Sequence, residues 1–268
     1  MQPKAGPMSE AIEVEALPVE TETLSPLEIL LGVITRPYRT FQRMREARHG
    51  YWWLMFVIAL LTLLLVTVAS VPIEAEIARA AMAAQMGGTD TSQLPADQQA
   101  QVQQAQNIAS SQAVLGAIGL VGGAVGTLIG YLVRAGVLFL VGLALGGHSS
   151  FKQVWRMAVW TTFPDAVRSL VAGIVILVTG SLPSPGLGFM FTSAEASAMP
   201  PVLLAFLQGI DIYLVWSLVL IGLGVSATAQ LNRVKSAFVA FIYWALVVII
   251  TLGYTAIMAS ISRAFTGA

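Results

Sequence analysis

The chain has no cysteine, two histidines and few charged residues. Among its 268 residues are 14 basic and 14 acidic side chains. The absence of cysteine excludes disulfide bonds, thiolate metal sites and cysteine nucleophiles, and the net charge of zero argues against a nucleic-acid-binding protein. Charged residues make up 10% of the chain and hydrophobic residues 56%. Because soluble domains carry about 25% charged residues, the composition predicts an integral membrane protein.

The residues that catalysis or metal binding needs are also scarce. His49 and His148 fall at predicted boundaries of spanning segments, so neither is placed for a buried metal site or a serine nucleophile. Asp165 and Asp211 resemble the pair of an aspartyl intramembrane hydrolase, but neighbouring arginines would keep both ionised. We therefore predict no catalytic residue, no metal site and no cofactor site, and a protein that is not an enzyme.

Five apolar stretches are each long enough for the roughly 20 residues that a spanning helix needs. They lie at about residues 52–71, 112–146, 154–180, 201–229 and 237–260. The predicted fold is an all-α, polytopic membrane bundle of five transmembrane helices, residues 51–268, preceded by an N-terminal amphipathic interfacial helix. Residues 72–111 are predicted to form a helical extension outside the membrane, although the glutamine bias of its second half is also typical of disorder.

The segment before the first span has two parts. Residues 1–23 carry five glutamates, one lysine and three prolines, which predicts a disordered acidic tail because little apolar area can be buried. Residues 24–50 begin with a capping box at Ser25 and predict cytoplasmic interfacial helices. Basic and aromatic residues then alternate, which suits the headgroup layer of an anionic leaflet; they are Arg36, Arg39, Phe41 and Arg43. The alternative is that these arginines only set the topology.

Orientation follows from the positions of lysine and arginine near the spans. Nine lie on one predicted side and two, Arg79 and Arg263, on the other. Positive charge accumulates on the cytoplasmic side, so the amino terminus is predicted in the cytoplasm and the carboxyl terminus outside.

Four ionisable residues are predicted within the membrane: Arg134, Asp165, Arg168 and Asp211. Each costs about 2.5 to 3.5 kcal/mol there, so we expect a neutral, internally paired cluster, with Arg134 paired to Asp211. The cluster is interpreted as a structural lock between spans two, three and four or as a proton or solute relay. Pro164 leaves the depth of Asp165 open, because span three either begins there or continues through it with a kink.

Span two contains Gly122, Gly126 and Gly130 at four-residue spacing. Small residues repeated in this way let helix backbones approach closely. The partner is either another span of the same chain, which we favour, or a second copy of the chain.

A series of short motifs resembles the Yip1 domain family in its bacterial branch. In order they are Ile34-Thr35-Arg36-Pro37, Thr40-Phe41, Gly146-Gly147, Ser150-Phe151, Phe163-Pro164, Gly209-Ile210-Asp211-Ile212-Tyr213, Trp216, Leu223-Gly224 and Lys235-Ser236-Ala237. The resemblance implies five helices with a cytoplasmic amino terminus, in the bacterial plasma membrane. Eukaryotic members act in vesicle traffic and bind small GTPases or one another, whereas bacterial members have no settled role.

The expected function is that of a non-enzymatic membrane scaffold or adaptor. Its expected partners are the lipid bilayer, a protein at the cytoplasmic face and a second copy of the chain. Two alternatives are a component of a small-solute or ion transporter that uses the intramembrane charge cluster, and an accessory subunit of a larger membrane complex.

Overall fold

A computed structural model describes residues 24–47, 49–86 and 95–266. The predicted tail at residues 1–23, Arg48, residues 87–94 within the predicted extension and residues 267–268 lie outside the described residues. The described helices are α1 (Pro26–Thr35), α2 (Pro37–Glu46), α3 (Trp52–Met86), α4 (Ala96–Ala109), α5 (Gln112–Ala144), α6 (Phe151–Trp160), α7 (Phe163–Thr179), α8 (Ser193–Ala198), α9 (Pro201–Gln208), α10 (Ile212–Ala229) and α11 (Arg233–Thr266). A 3-10 helix, Gly186–Met190, precedes α8.

Five helical segments are long and apolar enough to cross a membrane. They are Trp52–Ala84, Gln112–Ala144, Phe151–Thr179, Ile212–Ala229 and Arg233–Ala264. The prediction of an all-α membrane bundle with five spans is therefore confirmed. Within the predicted extension at residues 72–111, α3 continues through Pro72 to Met86, and α4 covers Ala96–Ala109.

The long helices close into a ring. Going round it, α3 packs on α7, α7 on α10, α10 on α11, α11 on α5, and α5 on α3 again. Helices α2 and α6 pack across one end of this ring, where α3 begins and α5 ends. We name this end the α2 side and the other the opposite side.

The best-buried core lies on the α2 side. Trp160 and Met157 of α6, Ile221 of α10, and Phe41 and Met44 of α2 are at most 2% exposed. The expected membrane-interface position of Phe41 is therefore corrected. Because α2 packs on α10 and α6, its apolar face is covered by protein.

The link between α2 and α3 is fastened to α6 by two buried hydrogen bonds. Arg156 Nη1 donates to the Ala47 carbonyl, and Trp160 Nε1 donates to the Gly50 carbonyl, each at 2.8 Å. A buried side-chain donor is costly to leave unpaired, so these two bonds hold α2 in a defined place on the bundle.

Two predicted spans are interrupted. Span three contains a break at Thr161 and Thr162, after which Pro164 lies in the first turn of α7, as in the first of the two alternatives. That alternative would make the residues before Pro164 an interfacial helix, whereas α6 is largely buried and belongs to the bundle. Span four, predicted as continuous, is corrected to α9 followed by α10, with Asp211 as the extended N-cap residue between them.

Gly122, Gly126 and Gly130 do not pack against another helix. A Cβ atom at any of the three would meet nothing within 4 Å. The contact with α3 is made by the neighbouring face of α5, where a Cβ at Gly123 would lie 2.8 Å from Leu63 and one at Gly119 3.4 Å from Thr67. The preferred interpretation of the first three glycines as an intrachain seam is therefore corrected.

Candidate functional site

A cavity of about 330 Å³, whose lining combines apolar and polar side chains, lies inside the ring of helices. Its lining residues come from α3, α5, α7, α11 and the break before α7: Ala59, Thr62, Leu63, Val66, Thr127, Gly130, Tyr131, Arg134, Thr162, Asp165, Ala166, Ser169 and Tyr243. Val66 is 14 residues beyond Trp52, the first residue of α3, and this corresponds to about 21 Å along the helix. The cavity therefore lies deep within the spanning segments.

Arg134 is held by residues from three other parts of the bundle. Its Nη2 donates to Asp165 Oδ2 at 3.2 Å, its Nε donates to the Tyr243 hydroxyl at 2.9 Å, and its Nη1 donates to Ser217 Oγ at 3.5 Å. The guanidinium carbon also lies 5.3 Å from the centre of the Tyr243 ring. These contacts spread the positive charge over an ion pair, two hydroxyl groups and an aromatic face.

Asp165 faces the cavity. It lies in the first turn of α7, where the helix dipole favours a negative charge. Its side chain is 47% exposed, whereas that of Arg134 is 13% exposed. Asp165 Oδ2 accepts the Arg134 bond, while Oδ1 accepts no hydrogen bond from the described part of the chain.

Arg168 and Asp211 form the second ion pair, with 3.0 Å between Nε and Oδ2. Asp211 Oδ1 also accepts a hydrogen bond from the Leu214 backbone N–H at 2.7 Å. Both Arg168 and Asp211 interact electrostatically with Asp165. The structure thus brings all four predicted residues together. The expected pair of Arg134 with Asp211 is corrected, because Arg134 pairs with Asp165.

Two hydroxyl groups that complete the site were not among the residues predicted from the sequence. Tyr243 and Ser217 bind Arg134, and the Ser217 hydroxyl in turn donates to the Thr161 carbonyl at 3.1 Å. Isolated hydroxyl residues within apolar spans were the available signal, since such side chains bond across helices in membranes. Many similar residues in these spans bond only to their own helix, so the signal alone does not select Tyr243 and Ser217.

The described residues contain no group of three or more histidine, cysteine or carboxylate side chains that could hold a metal ion. The two charged residues of the cavity lining, Arg134 and Asp165, are paired with each other. The arrangement can therefore fix helices relative to one another and offer polar contacts to a small solute.

Comparison with known proteins identifies the family. The profile of the Yip1 domain matches residues 31–255, which is more than half of the chain. The chain is also similar to membrane protein YknW of Bacillus subtilis (strain 168), with 23% identity over 225 residues that cover 83% of this chain and 88% of YknW. No solved structure matches it. The match to the domain profile and the five apolar helices agree, and this chain belongs to the Yip1 domain family of integral membrane proteins.

Proposed function

We propose that this protein is a non-enzymatic membrane scaffold or adaptor that binds a partner protein through its α2 side. The observation that carries the proposal is an apolar stripe on the outer side of α1, formed by Leu27, Leu31 and Ile34. These side chains are 62%, 53% and 46% exposed, whereas Ile29 and Val33 on the inner side are fully buried. Helix α1 thus has a second apolar face that the described residues leave uncovered.

The helix that carries the apolar stripe is held in a defined position on the bundle. Ser25 and Glu28 form a complete capping box that fixes the start of α1, and α1 packs on α2, which is anchored in the core. Arg36 and Arg39 are exposed beside the stripe. An apolar centre flanked by arginines is typical of protein interfaces, so a partner with an apolar helix face and acidic flanks would complement it.

A crosslinking experiment tests the proposal. A photoreactive amino acid replaces Leu31 in cells, and the buried Ile29 serves as the matched control position. We expect a protein adduct at position 31 that is absent at position 29 and is lost when Leu27 and Ile34 are both changed to Glu. The identified partner should then bind the purified protein in nanodiscs. Adducts with lipid alone, or with a second copy of the chain alone, would overturn the adaptor proposal.

Transport of a small solute is the second candidate function. It is favoured by the cavity beside the Arg134–Asp165 pair and by the breaks before α7 and α10, because interrupted helices frame the binding sites of many transporters. In this case protein in liposomes should show proton or solute flux that Asp211→Asn abolishes. An adaptor without transport activity predicts no flux in either protein.

For orientation we propose a cytoplasmic amino terminus, an external carboxyl terminus and a bacterial plasma membrane, supported by the nine-to-two distribution of lysine and arginine. The α2 side is then the cytoplasmic side. A second copy of the chain remains a proposed partner, as does a larger complex in which this chain is an accessory subunit.

A further inference from the structure

We propose that the cavity inside the helix ring is a binding site for a small solute carrying a primary ammonium group. The cavity extends from the Arg134–Asp165 pair towards the opposite side. Helix α5 runs towards the α2 side, so Thr127 and Gly130, which precede Arg134, lie farther from that side. Helix α7 runs away from the α2 side, so Ser169, which follows Asp165, also lies farther from it. This binding site is independent of the stripe on α1.

Four hydroxyl groups of the cavity wall, those of its serine and threonine residues, can accept hydrogen bonds but have no proton left to donate. Each serine or threonine hydroxyl has one proton, and four of them donate it to a main-chain carbonyl of their own helix or turn. The pairs are Thr62 to Ala59 at 3.0 Å, Thr127 to Gly123 at 2.8 Å, Thr162 to Val159 at 2.6 Å and Ser169 to Asp165 at 3.0 Å. The acceptor capacity that remains on these oxygens favours a ligand rich in hydrogen-bond donors.

The two charged residues of the cavity, Arg134 and Asp165, favour a ligand whose hydrogen-bond donor is positively charged. Asp165 is far more exposed than Arg134, so the cavity meets more of the carboxylate than of the guanidinium. The guanidinium is already occupied by Asp165, Tyr243 and Ser217, which leaves little of it for an anion. Of the four carboxylate oxygens of the two ion pairs, Asp165 Oδ1 is the one that has neither a hydrogen bond nor an ion-pair contact within the described residues.

A primary ammonium group matches these acceptors. It has three N–H donors and no acceptor, so one N–H can bind Asp165 Oδ1 while the others bind hydroxyl oxygens. The volume of about 330 Å³ is at the small end of ligand sites, which run from about 300 to 1,000 Å³. Ala59, Leu63, Val66 and Ala166 add an apolar part to the lining, so the solute is expected to carry a short hydrocarbon portion.

The absence of cysteine allows a direct test with thiol reagents. Ser169→Cys places a single thiol in the cavity of the full-length protein in nanodiscs. A separate variant, Ser184→Cys, has its single thiol in an exposed loop. The rate of each reagent at position 184 is used to normalise its rate at position 169. The reagents are methanethiosulfonates with aminoethyl, hydroxyethyl and sulfonatoethyl groups. We expect the aminoethyl reagent to be favoured at position 169 by about tenfold or more, the ratio that one charge-assisted hydrogen bond provides. Ethylammonium chloride should slow the reaction, and the same concentration of sodium chloride should not.

Two further variants connect the selectivity to the named groups. In the Ser169→Cys background, Asp165→Asn should remove the preference for the aminoethyl reagent. If Asp165→Asn does not fold, Thr62→Val removes one acceptor without changing charge and should weaken protection by ethylammonium, whereas Thr255→Val, outside the cavity, should not. The proposal would be overturned if the three reagents reacted at equal normalised rates, or if the sulfonatoethyl reagent reacted fastest. Equal protection by sodium chloride, or no reaction at position 169, would also overturn it.

Discussion

Arg168 and Asp211 join α7 to α10 through an ion pair of 3.0 Å, while the second oxygen of Asp211 caps α10 at the Leu214 N–H. One carboxylate therefore both satisfies an intramembrane arginine and begins a helix inside the bundle. The two roles use different oxygens, so substitution can separate them.

The cap and the ion pair of Asp211 are expected to contribute separately to stability. Asp211→Ser keeps a side-chain oxygen able to accept from Leu214 but removes the charge, whereas Asp211→Ala removes both. Asp211→Ala should therefore be less stable than Asp211→Ser by about 1 kcal/mol, the usual contribution of an N-cap. Reversible unfolding in mixed micelles measures the difference. Equal stability of the two variants would show that the cap contributes nothing.

The pairing of the four charged residues can be measured by double-mutant cycles. We expect coupling energies of about 0.5 to 3 kcal/mol for Arg134 with Asp165 and for Arg168 with Asp211. The cycles use Arg→Gln and Asp→Asn changes, with unfolding free energy as the measurement. The cycle of Arg134 with Asp211 is the control and should give weaker coupling than either contact pair. Strongest coupling in this control cycle would instead favour the pairing expected from the sequence.

Gly224 is expected to tolerate no larger residue. A Cβ there would lie 2.7 Å from Met157 Cγ and 3.4 Å from the Phe41 ring, and both side chains are buried. Gly224→Ala should therefore destabilise the protein by about 1 to 3 kcal/mol, as overpacked cores do. Gly222→Ala on the same helix is the matched control, because nothing lies within 4 Å of its Cβ position. It should be neutral or stabilising, since alanine favours helix. Similar losses of stability in both variants would contradict the close packing of α6 and α2 on α10.

The capping box of α1 is expected to weaken in acid. The Ser25 backbone N–H donates to Glu28 Oε2 at 2.7 Å, and this bond, with a smaller contribution from the Ser25 hydroxyl, lowers the pKa of Glu28. A carboxyl group whose pKa is lowered by folding stabilises the fold above its unfolded pKa and loses that effect as pH falls through the folded value.

A pH titration checks this prediction. A spin label on Leu31→Cys should become more mobile as pH falls through the lowered pKa of Glu28, and Glu28→Gln should remove most of that dependence. Carboxyl chemical shifts give the titration midpoint itself. A midpoint for Glu28 equal to that of an unfolded glutamate would contradict the effect of the capping bond.

The number of spans was predictable because long apolar runs and the bilayer thickness determine it together. The break before α10 was not predictable, because residues 201–229 form one apolar run in the sequence with Asp211 inside it. The N-cap role of Asp211 depends on its extended backbone, φ −149° and ψ 178°. Pro164 was a visible signal at the other break: a new helix does begin there, but the residues before it pack in the bundle and do not form the interfacial helix that this interpretation included.

The candidate site was predictable in part. The cost of charge in lipid identified Arg134, Asp165, Arg168 and Asp211 as a set, but pairing depends on depth and rotation about each helix, which residue counting gives only coarsely. The position of Phe41 was predicted wrongly for a related reason. An amphipathic helix shows its apolar face in the sequence, but the surface that covers this face, here α10 and α6, is known only from the tertiary structure.

The docking of α2 between α6 and α10 also sets an order for biogenesis. The ribosome makes Phe41 and Met44 early, yet the surface that buries them is incomplete until residues up to Ala229 have been synthesised and inserted. The amino-terminal helices must therefore wait, with their apolar face uncovered or held by a chaperone or the lipid surface, until the fourth span arrives. Closure of the core is then a late event of assembly.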